Sequence, residues 1–144
     1  MTVCLYHHKF LQVKDSIKTF EVDEEPLPGF KPILTPWHTP GSVGYAITDG
    51  PSKLLFTGDA VSHRILTVEN PWVNTSATDF DREAGPAGRY ELLDTVAQER
   101  WQLLSFHAAF PGLMYVESSG VNFLTTASLY EGSPMAMSVC VGSP

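Results

Sequence analysis

Three side chains of metal-ligand type, His38, Asp59 and His107, each follow a short extended run and each sit in or beside a turn bearing Gly or Pro. Strand ends on one edge of a sheet can converge, so residues distant in sequence could share one site. Imidazole nitrogen and carboxylate oxygen are donors that zinc accepts in catalytic sites, and a carboxylate has two oxygens with which to bridge two ions. By spacing alone the signal is weak. Taken singly, His38 reads as a turn residue, Asp59 as a helix or turn cap, and His107 as a half-buried, hydrogen-bonded histidine. The run Asp23-Glu24-Glu25 looks like a carboxylate cluster but is the composition of a solvated loop, and it is assigned no role.

The elements that would position these groups are legible in part. Residues 3–13 carry Val3, Tyr6, Phe10 and Val13 at near-helical spacing, which predicts a short helix, while β-branched and aromatic residues leave a strand open. Ile17 to Val22 alternates imperfectly and ends in an acidic, proline-bearing loop. Lys31 to Thr35 is extended between Pro32 and Pro36, which exclude helix. Val43 to Thr48 and Lys53 to Thr57 predict a hairpin across Asp49-Gly50-Pro51-Ser52. Asp81 can cap a helix with Pro86 in its first turn and Leu92, Leu93, Val96 and Ala97 as its apolar stripe. Trp101 to Phe106 predicts a buried strand delivering His107. Phe110-Pro111-Gly112 makes a turn, and Met114 to Glu117 with Val121 to Thr126 a last hairpin. Strands, one clear helix, then strands again imply a layered sheet-and-helix fold.

A chain of 144 residues with 43% apolar and 17% charged residues can bury one core and is expected to form one compact unit. The domain is expected over residues 1–130, with 131–144, rich in Gly, Ser, Pro and Met, as a fraying tail. Nine Lys plus Arg against sixteen Asp plus Glu give a formal charge of −7. That balance repels polyphosphate and anionic lipid, so neither nucleic acid nor a membrane surface is an expected partner. Cys4 and Cys140 make no disulfide framework and read as free thiols. The first apolar residues are interrupted by His7-His8-Lys9, and no run approaches the roughly 20 apolar residues of a spanning helix. The expectation is a soluble, cytoplasmic protein.

In combination the three motifs say more. Thr35-Pro36-Trp37-His38-Thr39-Pro40-Gly41, then Leu54-Leu55-Phe56-Thr57-Gly58-Asp59, then Phe106-His107-Ala108-Ala109-Phe110-Pro111-Gly112, follow one another in an order that resembles the metallo-β-lactamase superfamily. The likeness is greatest to its methyl parathion hydrolase-like and lactonase-like branch, and it covers about Ile17 to Ser128. His63 and the stretch Asp79 to Asp81 share in it. The resemblance implies an αββα sandwich with a metal centre on one edge, and His38 on the first metal, Asp59 bridging both, and His107 on the second. It also implies zinc, with manganese, iron or cobalt as other possible occupants, and a metal-bound hydroxide attacking a lactone, ester or organophosphate. Asp59 is then the catalytic candidate, and the small-molecule cleft is expected to include His63, Trp37 and Trp72, with Phe110 assigned to core packing.

Two departures accompany the likeness. The His-x-His-x-Asp-His run of that family is absent, so the resemblance is to a C-terminal half: one mixed sheet with flanking helices. Ser42 stands where many relatives carry a second histidine. Each ion would keep two protein donors with one shared, against the usual three, which predicts weak or single-metal occupancy. His63, His7 or His8 could be recruited. One sheet of a two-sheet sandwich also leaves an apolar face without a partner, so self-association or a covering chain is expected. The alternative reading is a noncatalytic remnant that binds a partner or a single metal.

Overall fold

Proline and glycine punctuation divides the chain into short strands that pair mostly with their sequence neighbours. The computed structural model describes residues 13–73 and 79–127. The strands are β1 (Phe30–Leu34), β2 (Val43–Asp49), β3 (Ser52–Phe56), β4 (Gln102–Leu104), β5 (Leu113–Ser119) and β6 (Asn122–Ala127), with helix α1 (Ala84–Gln98) between β3 and β4. They form one six-stranded sheet in sequence order, antiparallel throughout except for the parallel pair β3–β4. A parallel pair needs a long crossover, and α1 supplies it. The expected single mixed sheet of an incomplete αββα sandwich is therefore what the chain builds.

Register decides which residues share a face. Ala46, Leu55, Leu103 and Met114 stand in one row across β2 to β5. They point to the side where Leu92, Leu93 and Val96 of α1 pack with Val61, Val68, Val116 and Phe123. Leu55, Leu93 and Leu103 are fully buried there. The adjacent row, Tyr45, Phe56, Leu104 and Leu113, points to the other side, and the core cluster includes none of it. On that second face Leu34, Tyr115 and Leu124 are exposed. Among the described residues one apolar face is thus covered by α1, while on the other Tyr45, Phe56, Leu104 and Leu113 are half-buried.

The hairpins lie close to their expected positions. Gly50 takes a positive φ of 55° in the β2–β3 turn. Asp81 Oδ1 accepts the amides of Glu83 and Ala84 and so starts α1. Residues 17–22, whose alternation is imperfect, form no strand, and Phe20 packs against Tyr45. Two expectations need correction. The strand expected over Trp101 to Phe106 shortens to Gln102–Leu104, since Ser105 turns to meet Gly112. The last hairpin turns at Gly120-Val121, because β5 runs on to Ser119, two residues past the expected Glu117. The helix expected over 3–13, both cysteines, His7-His8 and the tail 131–144 lie outside the described residues, apart from exposed Val13.

Candidate metal centre

Strands β1, β3 and β4 run in the same direction, so their C-terminal ends lie on one edge of the sheet. His38, Asp59 and His107 each follow one of these ends by three or four residues. Short turns then aim them. Thr35 donates its amide to Ser42 O at 2.9 Å and His38 its amide to Thr35 O at 3.3 Å, which folds residues 35–42 back on themselves. Gly58 adopts φ 52°, and a Cβ there would lie 2.9 Å from Val43 O, so the turn before Asp59 requires glycine. The turn after β4 is closed by Ser105 N to Gly112 O at 3.0 Å and Ala108 N to Ser105 O at 3.2 Å.

The result is a cluster built on one carboxylate. His107 Nε2 lies 2.8 Å from Asp59 Oδ1, and His38 Nε2 lies 3.6 Å from Asp59 Oδ2. Each oxygen of Asp59 thus faces a different imidazole, which is the pairing a bridging carboxylate requires. All three are accessible, with side chains 22% (His38), 46% (Asp59) and 37% (His107) exposed, at a cleft of about 380 Å³.

A fourth residue, which sequence reasoning placed near the site without a role, orients the first. Asp79 Oδ1 accepts from His38 Nδ1 at 3.0 Å, leaving Nε2 as the ring's free donor atom toward Asp59. Carboxylates commonly hold a metal-ligating histidine in this tautomer. Asp79 Oδ2 in turn accepts from Arg89 Nη1 at 3.3 Å, and the two side chains are 6% and 3% exposed. Arg89 also donates to the carbonyls of Pro71 and Val73. Desolvation by burial pulls the Arg89 pKa below its ordinary value, and the charge of Asp79 opposes that shift. The segment carrying Asp79 is stapled to the His38 turn by Phe80 N to His38 O at 3.1 Å and Asp81 N to Trp37 O at 2.9 Å. An Asp five residues before the start of α1 and an Arg on the same helical stripe as Leu92, Leu93 and Val96 were the available signals.

Whether zinc suits these residues can be judged from the donors. Two ligands on one tetrahedral zinc stand about 3.3 Å apart, given bonds of about 2.0–2.1 Å. The 3.6 Å pair, His38 and Asp59, is close to that separation, whereas the 2.8 Å pair, His107 and Asp59, is a hydrogen bond that an ion would have to replace. The donors fit in kind and in pairing but fall short in number. Among the described residues no three His, Cys, Asp or Glu side chains surround one point. Ser42, the residue in the place of a second histidine, spends its hydroxyl on Thr39 Oγ1.

The expected cleft residues divide. His63 lines a neighbouring cleft together with His107. Trp37 is 7% exposed and packs in the core, its ring lying under Gly88 of α1. Trp72 is half exposed, stacked on Tyr90 with ring centroids 4.8 Å apart, and its Nε1 donates to Val121 O. Phe110, expected in the core, is instead 99% exposed, because the turn between Ala108 and Gly112 projects it outward.

A profile of the metallo-beta-lactamase superfamily matches residues 7–112. No curated protein sequence matches the chain significantly. Among solved structures, AidC, a dizinc quorum-quenching lactonase, is similar with a TM-score of 0.76 at 20% identity, over 85% of this chain and 42% of its own. The hydrolase AbOPH of the beta lactamase superfamily is similar at 22% identity with the same TM-score of 0.76 and the same coverages, 85% and 42%. An N-acyl homoserine lactone hydrolase, with N-hexanoyl-L-homoserine bound at its catalytic metal centre, is similar at 27% identity with a TM-score of 0.52, over 63% of this chain and 35% of its own. This chain therefore spans less than half the length of these relatives.

Proposed function

This chain belongs to the metallo-β-lactamase superfamily, and from that premise we propose that it carries one side of the active centre of a zinc-dependent hydrolase acting on lactones, esters or organophosphates. The observation that supports this most is the pairing of both Asp59 oxygens with separate imidazoles. His38 and Asp59 would hold one ion and Asp59 and His107 a second. When bound, zinc activates water and polarises the substrate oxygen. The chain's own residues do the rest: Asp79 holds the His38 proton on Nδ1, Arg89 holds Asp79, and Asp59 keeps both oxygens at the cleft. Each ion needs at least one further protein donor from outside the described residues.

That shortfall favours a second reading, a noncatalytic module that binds one metal weakly. Zinc titration with metal analysis, paired with hydrolysis of an aryl ester and a lactone with and without zinc, separates the two. We expect occupancy below two ions per chain and little turnover, with zinc affinity reduced in Asp59→Ala. Unchanged affinity in that variant removes the shared-carboxylate reading. Two tightly held ions with metal-dependent turnover would reject the donor-shortage argument and the weak-binding module.

A further inference from the structure

Helix α1 opens on Ala84-Gly85-Pro86-Ala87-Gly88, a start that helix propensity disfavours, since glycine is the poorest helix former after proline. Gly88 and Arg89 stand three and four residues after Gly85 and so share its face of the helix. That face meets the turn carrying His38. A Cβ on Gly88 would lie 2.4 Å from Trp37 Cζ3, and one on Gly85 would lie 3.7 Å from Trp37 Cδ1 and 3.2 Å from both Arg89 Nη1 and Asp79 Oδ2. The glycines leave a notch, and the indole of Trp37 fills it, 7% exposed.

Two consecutive residues of the turn therefore meet two consecutive residues of the helix. Trp37 rests on Gly88, while His38 reaches Arg89 through Asp79, by contacts of 3.0 and 3.3 Å. The indole packs by shape alone: its Nε1 is buried and finds no hydrogen-bond partner among the described residues. Burying an unpaired donor is unfavourable, so the notch selects the ring's volume and not its polar end. The hydrogen bond to Asp79 directs the imidazole but leaves the turn free to rock. A large rigid ring wedged into the helix at the adjacent residue removes that freedom.

We propose that Trp37 is a positioning residue of the metal centre: wedged against Gly88, its indole fixes the His38 turn so that Nε2 stays 3.6 Å from Asp59 Oδ2, close to the separation of two ligands on one zinc. The role in metal binding rests on the reading of His38 and Asp59 as a zinc pair; the wedge does not. Four variants test it from both sides of the contact. Trp37→Ala empties the notch, Gly88→Ala pushes on the ring, and Trp37→Phe keeps an aromatic ring without the orphaned N–H. Val96→Ala trims a buried side chain at the far end of the same helix and serves as the control for stability alone.

Zinc affinity is read by chelator competition without denaturant, and the His38 ring of the zinc-free protein by proton–nitrogen correlation. Trp37→Ala and Gly88→Ala should each weaken zinc about tenfold, the scale of losing a group that orients a ligand, and split or broaden the His38 ring signals. Trp37→Phe should stay within about threefold of wild type with one set of signals. Val96→Ala should lower the urea midpoint and move neither reading. Zinc affinity within about twofold of wild type in Trp37→Ala, with unchanged His38 signals, would overturn the proposal. So would an equal loss of zinc in Val96→Ala, which would make stability and not position the cause. Should Trp37→Ala fail to fold, Gly88→Ala decides on the same two readings. Failure of the zinc reading shows itself differently, as zinc indifferent to Asp59→Ala while the His38 signals still respond to Trp37→Ala and Gly88→Ala.

Discussion

Replacing Asp79 by Ala tests the link between the core and the metal edge. The substitution removes at once the acceptor of His38 Nδ1, 3.0 Å away, and the acceptor of Arg89 Nη1, 3.3 Å away. Breaking a buried ion pair from one side costs about 3–5 kcal/mol, because the remaining charge stays desolvated. Arg89 keeps the carbonyls of Pro71 and Val73, which places the expected cost near the lower bound, about 3 kcal/mol. Zinc affinity should fall separately, by about 10- to 100-fold, since His38 loses the partner that sets its tautomer. Urea unfolding followed by tryptophan fluorescence reads the first effect, and competition with a chromophoric chelator reads the second. The double variant Asp79→Leu with Arg89→Met divides them: stability should largely return, because no unpaired charge is left, while zinc affinity stays low. Zinc binding within about twofold of wild type in Asp79→Ala would refute the orienting role of Asp79, and a stability loss under about 0.5 kcal/mol would refute the burial argument.

Other expectations follow from packing. At Gly88 a Cβ would sit 2.4 Å from Trp37 Cζ3, so Gly88→Ala should overpack the helix against the turn that carries His38. The expected loss, about 1–3 kcal/mol, exceeds the roughly 1 kcal/mol that Ala gains as a helix former, and a raised melting temperature would contradict it. Leu55→Ala should cost about 2–5 kcal/mol in denaturant unfolding, because Leu55 is 0% exposed at the centre of the sheet; a loss under about 1 kcal/mol would mean the core row is misassigned. If the half-buried face bearing Tyr45, Leu54, Phe56 and Leu104 is accessible in solution, the chain should bind a hydrophobic dye, less so in Phe56→Ser, and a chain that binds none refutes that accessibility.

Much of the scaffold follows from local rules that the sequence states openly. Gly50, Pro51 and Gly120 mark the hairpin turns, alternation marks the strands, and Asp81, Pro86 and the Leu92-Leu93-Val96 stripe mark the helix. The order of the three motifs also pointed to the family whose profile the chain matches. Phe110 and Trp37 were misplaced because both neighbour Pro in irregular runs, and an aromatic ring there turns inward or outward according to what the rest of the fold leaves open. For Trp37 that is the space over Gly88, fifty-one residues further along the chain.

Residue type and order by themselves determined which groups could ligate a metal and that each follows a strand. Only the tertiary structure decided that β1, β3 and β4 share a direction, so that His38, Asp59 and His107 meet at one edge. It alone set Asp79 behind His38, with Arg89 behind Asp79, and tied His63 Nδ1 to the backbone amides of Ile65 and Leu66. The reason is physical: ligand identity is a property of one side chain, whereas tautomer, pairing and aim depend on hydrogen-bond partners that the folded backbone brings from tens of residues away.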